Sequence, residues 1–539
     1  MIALRNKATN QKQTFLGGAA VLALATAIVK VIGAFYKIPL NRLIGDEGFG
    51  YFNTAYDIYS VLLMISTTGL PVAMSRMISE AKALGQTNQI HRIYKTAFAA
   101  FLALGLVGSG GMMILCKALA GLMSQSESWF AILCLSPAML FICLISAERG
   151  FFQGQSNMVP TSMSQILEAL CKLAVGLSMA FLFNRLTGSM TYAAGGAILG
   201  VTLGTVVSTI YLTAKRRKAS REMEKDPCLD PTELSSRQTL SRLLAIAVPI
   251  TLGAAGLQII TTVDAAVYMA RLKGAAGLVD EADGLKGIYN FAQTIFNLPC
   301  AFISPLTISV IPAITEQITL RRHKMANTVA ESATRVMSLI AMPCSVGLVV
   351  LAEPIMQVLG GYDGARLELA TVLMRILGFC VFFNSFVLVL NAIMQAHGFV
   401  YIPVIFMVVG GIVKVIVNYI LVGNPDINIV GAPIGTLVCY VIIALLDVFA
   451  MRRVLRHPPK MLQNLYKPAL ASLVMGAAAY GAYQVSVHLH LAMILRLGFT
   501  ILLAAAAYAV MAILLRTITA DDCKLLPKGD KIAKLLHIS

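Results

Sequence analysis

Apolar runs long enough to cross a lipid bilayer recur from one end of the chain to the other, and they restrict the possible folds more than any other feature. A helix needs about 20 mostly apolar residues to span the hydrocarbon core. The composition agrees, since 58% of the 539 residues are hydrophobic and 13% are charged, against about a quarter in soluble proteins. The runs lack the alternation of apolar and polar residues that is typical of transmembrane barrels. We therefore predict an all-α integral membrane protein.

The apolar runs predict about 14 transmembrane helices, six in each of two repeat lobes and a final pair. The spans lie near residues 15–40, 54–79, 94–119, 129–152, 160–184, 191–214, 242–271, 288–313, 331–352, 371–395, 400–422, 430–451, 467–487 and 491–515. The predicted organisation is an N-terminal lobe (1–214), a cytoplasmic linker (215–240), a C-terminal lobe (241–451), a basic cytoplasmic linker (452–466), a helix pair (467–515) and a cytoplasmic tail (516–539). The run after Lys12 is too long for a cleavable signal peptide, so we expect the first helix to remain.

A weak internal repeat supports the two lobes. Three groups of residues match in the same order in both halves: 50–53 with 287–290, 69–75 with 310–315, and Gln153, Pro160 and Lys172 with Gln395, Pro403 and Lys414. Parallel repeats of this kind are typical of transporters, whose substrate site lies between the two halves.

The charge distribution predicts the topology. The net charge is +17, which in a soluble protein would suggest binding to nucleic acid. With both termini in the cytoplasm, however, about 30 of the 43 Lys and Arg residues fall in cytoplasmic segments, as the positive-inside rule requires. We therefore expect no nucleic-acid partner, a multi-pass membrane protein with both termini in the cytoplasm, and contact of the basic clusters with anionic lipids.

Two lysines lie within the first apolar run, at Lys30 and Lys37. A lysine deep in hydrocarbon costs several kcal/mol unless it faces protein or water. The two are two helical turns apart and point the same way, with Gly33 between them on nearly the same face. This pattern indicates one wall of a cationic, water-accessible cavity, although Lys37 is also close enough to the outer end to snorkel to the surface.

Other charged residues within the spans extend this candidate site. Asp57 is a candidate partner for Lys30 or Lys37, and Arg76 has either a cavity role or a topological one, because it lies near the end of its span. An acid at Asp264 either balances the lysines or takes part in ion coupling.

The fifth span carries Glu168 and Lys172 four residues apart, which is the spacing of an ion pair within one helix. Lys414 occupies the position that matches Lys172 in the second half. The candidate cavity residues are thus Lys30, Lys37, Arg76, Lys172 and Lys414, and those for charge balance or ion coupling are Asp57, Glu168 and Asp264.

This excess of lysines favours an anionic substrate, since lysines in a dry cavity attract phosphate strongly. A cavity for cationic drugs would instead be lined by acids and aromatic rings. The cysteines form no CxxC pair and lie mostly in apolar runs, so we expect neither a metal site nor another cofactor. The chain has no P-loop, so ATP is not expected to be the direct energy source.

Two segments resemble a known family. Residues 29–85 (VKVIGAFYKIPLNRLIGDEGFGYFNTAYDIYSVLLMISTTGLPVAMSRMISEAKALG) and residues 149–170 (RGFFQGQSNMVPTSMSQILEAL) are similar to the group of stage V sporulation protein B and the Gram-positive lipid II flippases. This group belongs to the multidrug/oligosaccharidyl-lipid/polysaccharide (MOP) exporter superfamily, and the resemblance runs from residue 13 to residue 515.

The resemblance implies a function in polysaccharide or peptidoglycan biosynthesis, in vegetative cells or in sporulation. Such a protein moves an undecaprenyl-diphosphate-linked glycan, here most simply lipid II, to the outer leaflet by alternating access. The diphosphate binds in a basic cavity, and the last two helices form a groove for the lipid tail. The family places essential basic residues on its first, second and eighth helices. Lys30, Lys37 and Arg76 match the first two of these, whereas the span predicted at 288–313 contains no Arg or Lys.

Two alternatives remain open. A cation-coupled multidrug exporter of the same superfamily has the same helix pattern. A membrane enzyme that polymerises glycans needs a sizeable outer loop with catalytic residues, and the largest predicted one, 272–287, is short, so we expect no enzymatic activity. The expected partners are the lipid-linked glycan, anionic membrane lipids and cell-wall synthesis enzymes, and we expect a monomer.

Overall fold

The computed structural model is helical almost throughout. It describes residues 2–223, 234–455, 459, 464–488, 492–515 and 517. The fold is 90% helical, and the described residues contain no β-strand. Twelve segments among them are long and apolar enough to cross a membrane. This confirms the predicted all-α membrane protein of roughly 12–14 helices. Parts of both predicted linkers and nearly all of the predicted tail 516–539 lie outside the described residues.

The helices are numbered in chain order. They are α1 (Ile2–Thr67), α2 (Gly69–Ala83), α3 (Thr87–Ile114), α4 (Cys116–Leu122), α5 (Trp129–Gly154), α6 (Val159–Thr187), α7 (Met190–Met223), α8 (Ser236–Gly274), α9 (Ala282–Thr319), α10 (His323–Val350), α11 (Ala352–Ile355), α12 (Gly364–Ala396), α13 (Tyr401–Leu421), α14 (Gly431–Val454), α15 (Tyr466–His488) and α16 (Met493–Leu514). Single turns of 3₁₀ helix cover Ser126–Ser128 and Asn428–Val430, and a π-helical turn covers Met356–Gly360.

Helix α1 contains the first predicted span and much of the second, joined at Gly45. This residue has φ 66° and ψ 176°, a backbone conformation that residues with a side chain rarely adopt. The glycine therefore divides α1 into a first arm, residues 2–44, and a second arm, residues 46–67. The second arm begins well before the predicted start at residue 54, because the chain needs only this one kink to connect the two spans.

A second break falls at Thr68, between the second arm and α2. Pro71 lies in the first turn of α2, where it lacks an N–H and would clash with the preceding turn of a continuous helix. Gly69 beside it packs closely on α8, since a Cβ atom there would overlap the carbonyl oxygen of Ala247. The proline thus interrupts the helix, and the glycine allows α8 to approach.

The start of α9 also differs from the prediction. The helix begins at Ala282, whereas the sequence placed the span at 288–313 and left the preceding residues in an outer loop. Asp283 lies in its first turn, where an acidic side chain favours helix formation through the helix dipole. The earlier start brings Lys286 into the helix.

The chain forms two compact units. The first comprises Met1–Ala270 with Asp280–Gly287, and the second comprises Arg271–Val279 with Ile288–Ser539. Most of α8 therefore belongs to the first unit. The lobes predicted from the repeat, with boundaries at 214 and 241, remain a prediction.

Each unit has its own buried helix. In the first unit α5 packs against α1, α2, α3 and α7, while α6 packs against α1 and α7. In the second unit α12 packs against α10 and α14, α13 packs against α14, and α15 packs against α10 and α16. The core of the second unit is an apolar cluster of residues from α9, α10, α12 and α14.

One local packing arrangement occurs in both units. A Cβ atom on Gly200 of α7 would lie 3.1 Å from the carbonyl oxygen of Lys172 on α6. A Cβ atom on Gly435 of α14 would lie 3.4 Å from the carbonyl oxygen of Lys414 on α13. In each unit a lysine-bearing helix thus crosses closely over a glycine of the next helix.

Candidate functional site

A cavity of about 430 Å³ opens in the first unit. Its walls come from both arms of α1 and from α5, α6 and α7. Its charged lining residues are Lys30, Arg149, Glu168 and Lys172. Three basic groups and one acidic group therefore line a cavity among helices that are apolar enough to cross a membrane. Among the described residues, no group of three or more His, Cys, Asp and Glu side chains is placed to hold a metal ion.

The first arm of α1 contributes the face that the sequence predicted. Lys30, Gly33 and Tyr36 line the cavity, at successive turns of the helix. The Lys30 side chain is exposed. A Cβ atom on Gly33 would meet no other atom within 4 Å, so the glycine leaves open space beside the lysine. One side of this arm is therefore both cationic and accessible.

Glu168 forms its ion pair across helices rather than along its own. Its carboxylate accepts a hydrogen bond of 3.2 Å from the guanidinium of Arg149 on α5, and Arg149 also donates to the Ser164 hydroxyl at 3.1 Å. The expected pair with Lys172 is therefore replaced. The planar guanidinium binds a carboxylate in a fixed geometry, which a lysine on the same helix cannot match.

Lys172 faces aromatic rings instead. Its ammonium nitrogen lies 4.6 Å from the ring centre of Tyr56, 5.1 Å from that of Tyr36 and 5.8 Å from that of Phe52. A cation above aromatic faces within about 6 Å is stabilised by the ring quadrupole. The rings thus surround the amino group at the cavity wall without forming an ion pair with it.

Lys37 directly follows the lining residue Tyr36 on the same arm but does not itself line the cavity. Its ammonium donates a hydrogen bond of 3.1 Å to the side-chain oxygen of Asn53, and it lies 5.8 Å from the ring centre of Phe49. Asn53 is itself fixed by a 2.7 Å hydrogen bond to the Phe49 carbonyl oxygen. The Asn53 amide thus holds the Lys37 side chain inside the protein. A lysine that snorkels would instead extend to the membrane surface.

Lys286 is a basic residue that the sequence analysis missed. Its side chain is completely buried, and its ammonium nitrogen lies 2.6 Å from the Thr54 hydroxyl and 3.4 Å from the Asp57 carboxylate. Asp57 therefore forms an ion pair with Lys286 on α9, a residue that the sequence analysis did not consider as its partner. The residue was overlooked because it precedes the predicted span by two positions, in a segment read as a solvated loop.

Arg149 was missed for a related reason. It lies near the end of α5, where an arginine is usually a topology signal. Its spacing to Glu168 along the chain gives no indication of contact, since the two residues are on different helices. The apolar residues around Arg149 did predict that this segment is buried. A buried arginine needs an acidic partner, so the sequence could have indicated that Arg149 forms an ion pair.

Three lysines from three helices thus converge on one short segment. Residues 49–57 of the second arm contact Lys37 of the first arm, Lys172 of α6 and Lys286 of α9. Asp57 is the acidic residue of this segment. Asp283 adds a second carboxylate, which accepts a hydrogen bond of 3.4 Å from the same segment. Three lysines thus meet two carboxylates here, and a bound anion would offset the one excess basic group.

The remaining predicted site residues lie elsewhere. Arg76 on α2 has a side chain that is 66% exposed and pairs with Glu80 at 3.4 Å, so it does not line this cavity. Lys414 lies in the second unit, on α13. Asp264 is buried in α8, with 3% of its surface exposed. Only Lys30, Glu168 and Lys172 of the predicted set line the cavity directly.

Comparison with known families identifies the chain's relatives. A sequence profile described as polysaccharide biosynthesis protein matches residues 15–318, more than half of the chain. The chain belongs to this family. A second profile, described as MatE, matches residues 287–420. Both descriptions agree with membership of the MOP superfamily.

Curated relatives match over most of their length. The chain is 25% identical to stage V sporulation protein B of Bacillus subtilis (strain 168) over 527 residues, which covers 96% of this chain and 98% of that protein. It is 26% identical to lipid II flippase MurJ of the same organism over 478 residues, which covers 86% of each.

A solved structure shares the fold. The structure titled lipid II flippase MurJ, inward closed conformation, superposes with a TM-score of 0.70 at 15% identity, and the match covers 92% of this chain and 99% of that chain. The chain is therefore a multi-pass membrane protein of the MOP superfamily, whose relatives are transporters and flippases rather than catalysts.

Proposed function

We propose that this protein is a flippase for a glycan linked to undecaprenyl diphosphate, and that its substrate is the peptidoglycan precursor lipid II. The observation that carries this proposal is the convergence of Lys37, Lys172 and Lys286 on residues 49–57 beside a lysine-lined cavity. Family membership supplies the transport class, and the basic site supplies the preference for an anionic head group.

The site chemistry suits a diphosphate. Hydrogen bonds between ammonium groups and phosphate oxygens are charge-assisted and about twice as strong as neutral ones. A diphosphate also carries several oxygens, so it can bind more than one lysine at once. Lys30 and Lys172 line the same cavity, which supports simultaneous contact with one head group.

The transport cycle follows from the same contacts. In this mechanism the lysines bind the head group on the cytoplasmic side and release it on the outer side, while the lipid tail stays in the bilayer. The helix pair α15 and α16 would accommodate that tail. Lys414 and Arg76 remain candidate contacts at other stages, and Asp264 a candidate for charge balance. We place the protein in the bacterial cytoplasmic membrane as a monomer with both termini in the cytoplasm.

A multidrug exporter is the second candidate, because the MatE profile matches residues 287–420. An exporter of cationic drugs needs acidic or aromatic recognition groups. The cavity of the first unit has aromatic rings, but Lys172 occupies them, and its one acidic residue, Glu168, is paired with Arg149. These contacts favour the flippase over the exporter.

Complementation tests the proposal. A bacterium depleted of its own lipid II flippases would express this chain, and lipid II would be quantified in each leaflet of the membrane. We expect growth and outward lipid II to be restored. Good expression without outward lipid II would contradict the assignment, and ion flux stimulated by cationic drugs would then support the exporter.

A further inference from the structure

A buried carboxylate without a partner lies in the second unit. Asp447 on α14 has 0% of its surface exposed, and neither of its side-chain oxygens forms a hydrogen bond with a described residue. No ion pair joins it to a basic group of the described chain. The other buried acid at 0% exposure, Glu148, differs in accepting a hydrogen bond of 2.9 Å from Tyr94 and pairing with Arg216 at 3.3 Å. Asp447 therefore requires another explanation.

The face of α14 that carries Asp447 points into apolar protein. The residues three or four positions away on the same face are Ile443, Ala444, Ala450 and Met451, each buried. All four belong to the apolar core cluster that also contains residues of α9, α10 and α12. An ionised carboxylate in such surroundings costs several kcal/mol or more, so a buried acid takes up a proton instead.

The neighbouring helices carry several charged groups that could neutralise Asp447. On α13, Lys414 lies at the level of Gly435, about 18 Å along α14 from Asp447 at 1.5 Å per residue. At the end of α12, the His397 ring bonds to the Ile393 carbonyl oxygen at 2.8 Å. Other ionisable side chains of the surrounding helices include Glu316 on α9, His323, Lys324, Glu331 and Arg335 on α10, Arg366, Glu368 and Arg375 on α12, and Arg452 and Arg453 on α14.

None of these described groups forms an ion pair with Asp447. Arg335 donates to Asn464 at 3.0 Å, and the Arg453 guanidinium lies 4.6 Å from the Phe449 ring centre. Glu316, Arg375 and Arg452 are exposed. Asp447 precedes the end of α14 by seven residues, about 10 Å of helix.

We propose that Asp447 is a proton-binding site of the transport cycle, which holds a proton in the conformation described above and releases it when rearrangement of the second unit admits water. A proton needs only this one carboxylate. A sodium ion would need several oxygen ligands, and the surrounding face supplies apolar side chains. Protonation neutralises the acid in the apolar core, and ionisation stabilises an opened, hydrated arrangement, so the proton couples to the conformation. Coupling to lipid transport rests on the proposed function, whereas proton binding itself does not.

Infrared spectroscopy of the purified full-length protein tests proton binding directly. At neutral pH we expect the carbonyl-stretch band of a protonated carboxylic acid, lost in Asp447→Asn and retained in the matched control Asp426→Asn. Asp426 is exposed in the loop after α13, so this control changes the same chemical group without the burial of Asp447. Equal spectra of the wild type and Asp447→Asn would overturn the proposal. Should Asp447→Asn fail to accumulate, Asp447→Leu, an apolar residue of similar volume, provides the same comparison.

Proteoliposomes test the coupling. One proton per cycle shifts the distribution of lipid II between leaflets about tenfold for each unit of pH difference across the membrane. We expect this shift in the wild type and in Asp426→Asn, and its loss in Asp447→Asn. If the wild type distributes lipid II between the leaflets independently of the pH difference, coupling is contradicted. A wild type that moves no lipid II at all would refute the proposed function instead, and the infrared result would still decide whether Asp447 binds a proton.

Discussion

The ion pair between Asp57 and Lys286 is expected to stabilise the first unit measurably. The Lys286 ammonium is buried and lies 3.4 Å from the Asp57 carboxylate. At an effective dielectric constant of about 20, two unit charges at this distance attract by about 5 kcal/mol. The Asp57 side chain is 34% exposed, so water screens part of this attraction. The net effect lies between about 1 kcal/mol for an exposed pair and about 3–5 kcal/mol for a broken buried pair.

We therefore predict that Asp57→Asn lowers the free energy of unfolding by about 2–3 kcal/mol, because it leaves the Lys286 charge buried without its carboxylate. Lys286→Met removes the charge together with the need for a partner, so the double variant should be more stable than Asp57→Asn alone. The difference from additivity should be about 1–2 kcal/mol. The free energy of unfolding would be measured in mixed detergent micelles for the wild type, Asp57→Asn, Lys286→Met and the double variant.

The control variant is Asp426→Asn, which changes the same chemical group at an exposed loop position. It should shift the free energy of unfolding by no more than about 0.5 kcal/mol. An Asp57→Asn effect equal to that of the control, with additive behaviour in the double variant, would refute the counterion role of Asp57.

Two further variants test the cavity and the docking of α9. Lys30→Ala should abolish transport of lipid II in the complementation assay although the variant protein reaches normal levels in the membrane. Lys30→Arg should retain partial activity because it keeps the charge but not the geometry. Normal transport by Lys30→Ala would contradict a role of this lysine in the site. Gly287→Ala should lower the yield of folded protein, since its Cβ atom would overlap the Asp46 carbonyl oxygen. The matched Gly284→Ala should be tolerated, because its nearest atom is 4.0 Å away, and equal yields of the two would contradict the close packing.

The sequence predicted the chemistry of the cavity better than its contacts. Lysines within apolar runs have few energetically acceptable surroundings, so Lys30 and Lys172 were identifiable without a structure. Their partners were not, because partners are set by the packing of helices that lie far apart in the chain. Glu168 illustrates this point, since local spacing favoured Lys172 and tertiary packing gave it Arg149.

Helix boundaries account for the other differences. Residues 41–53 contain three glycines, each of which is a possible helix end, and only the structure shows that Gly45 alone carries the kink. The early start of α9 moved Lys286 from a predicted loop into a buried position. With this shift the chain acquires a basic residue on the helix where the family resemblance implied one, although hydropathy alone could not locate it.

Binding of undecaprenyl diphosphate to the purified protein tests the central claim most directly. Native mass spectrometry or competition with a fluorescent analogue would compare the wild type, Lys172→Gln and the control Lys218→Gln, whose lysine lies outside the cavity on the last turns of α7. One lost charge-assisted hydrogen bond corresponds to about 1.5–3 kcal/mol, so Lys172→Gln should weaken binding at least about tenfold, while the control should bind as the wild type does. Equal affinities of all three proteins, or equal binding of the uncharged alcohol undecaprenol, would contradict a lysine site that recognises the diphosphate.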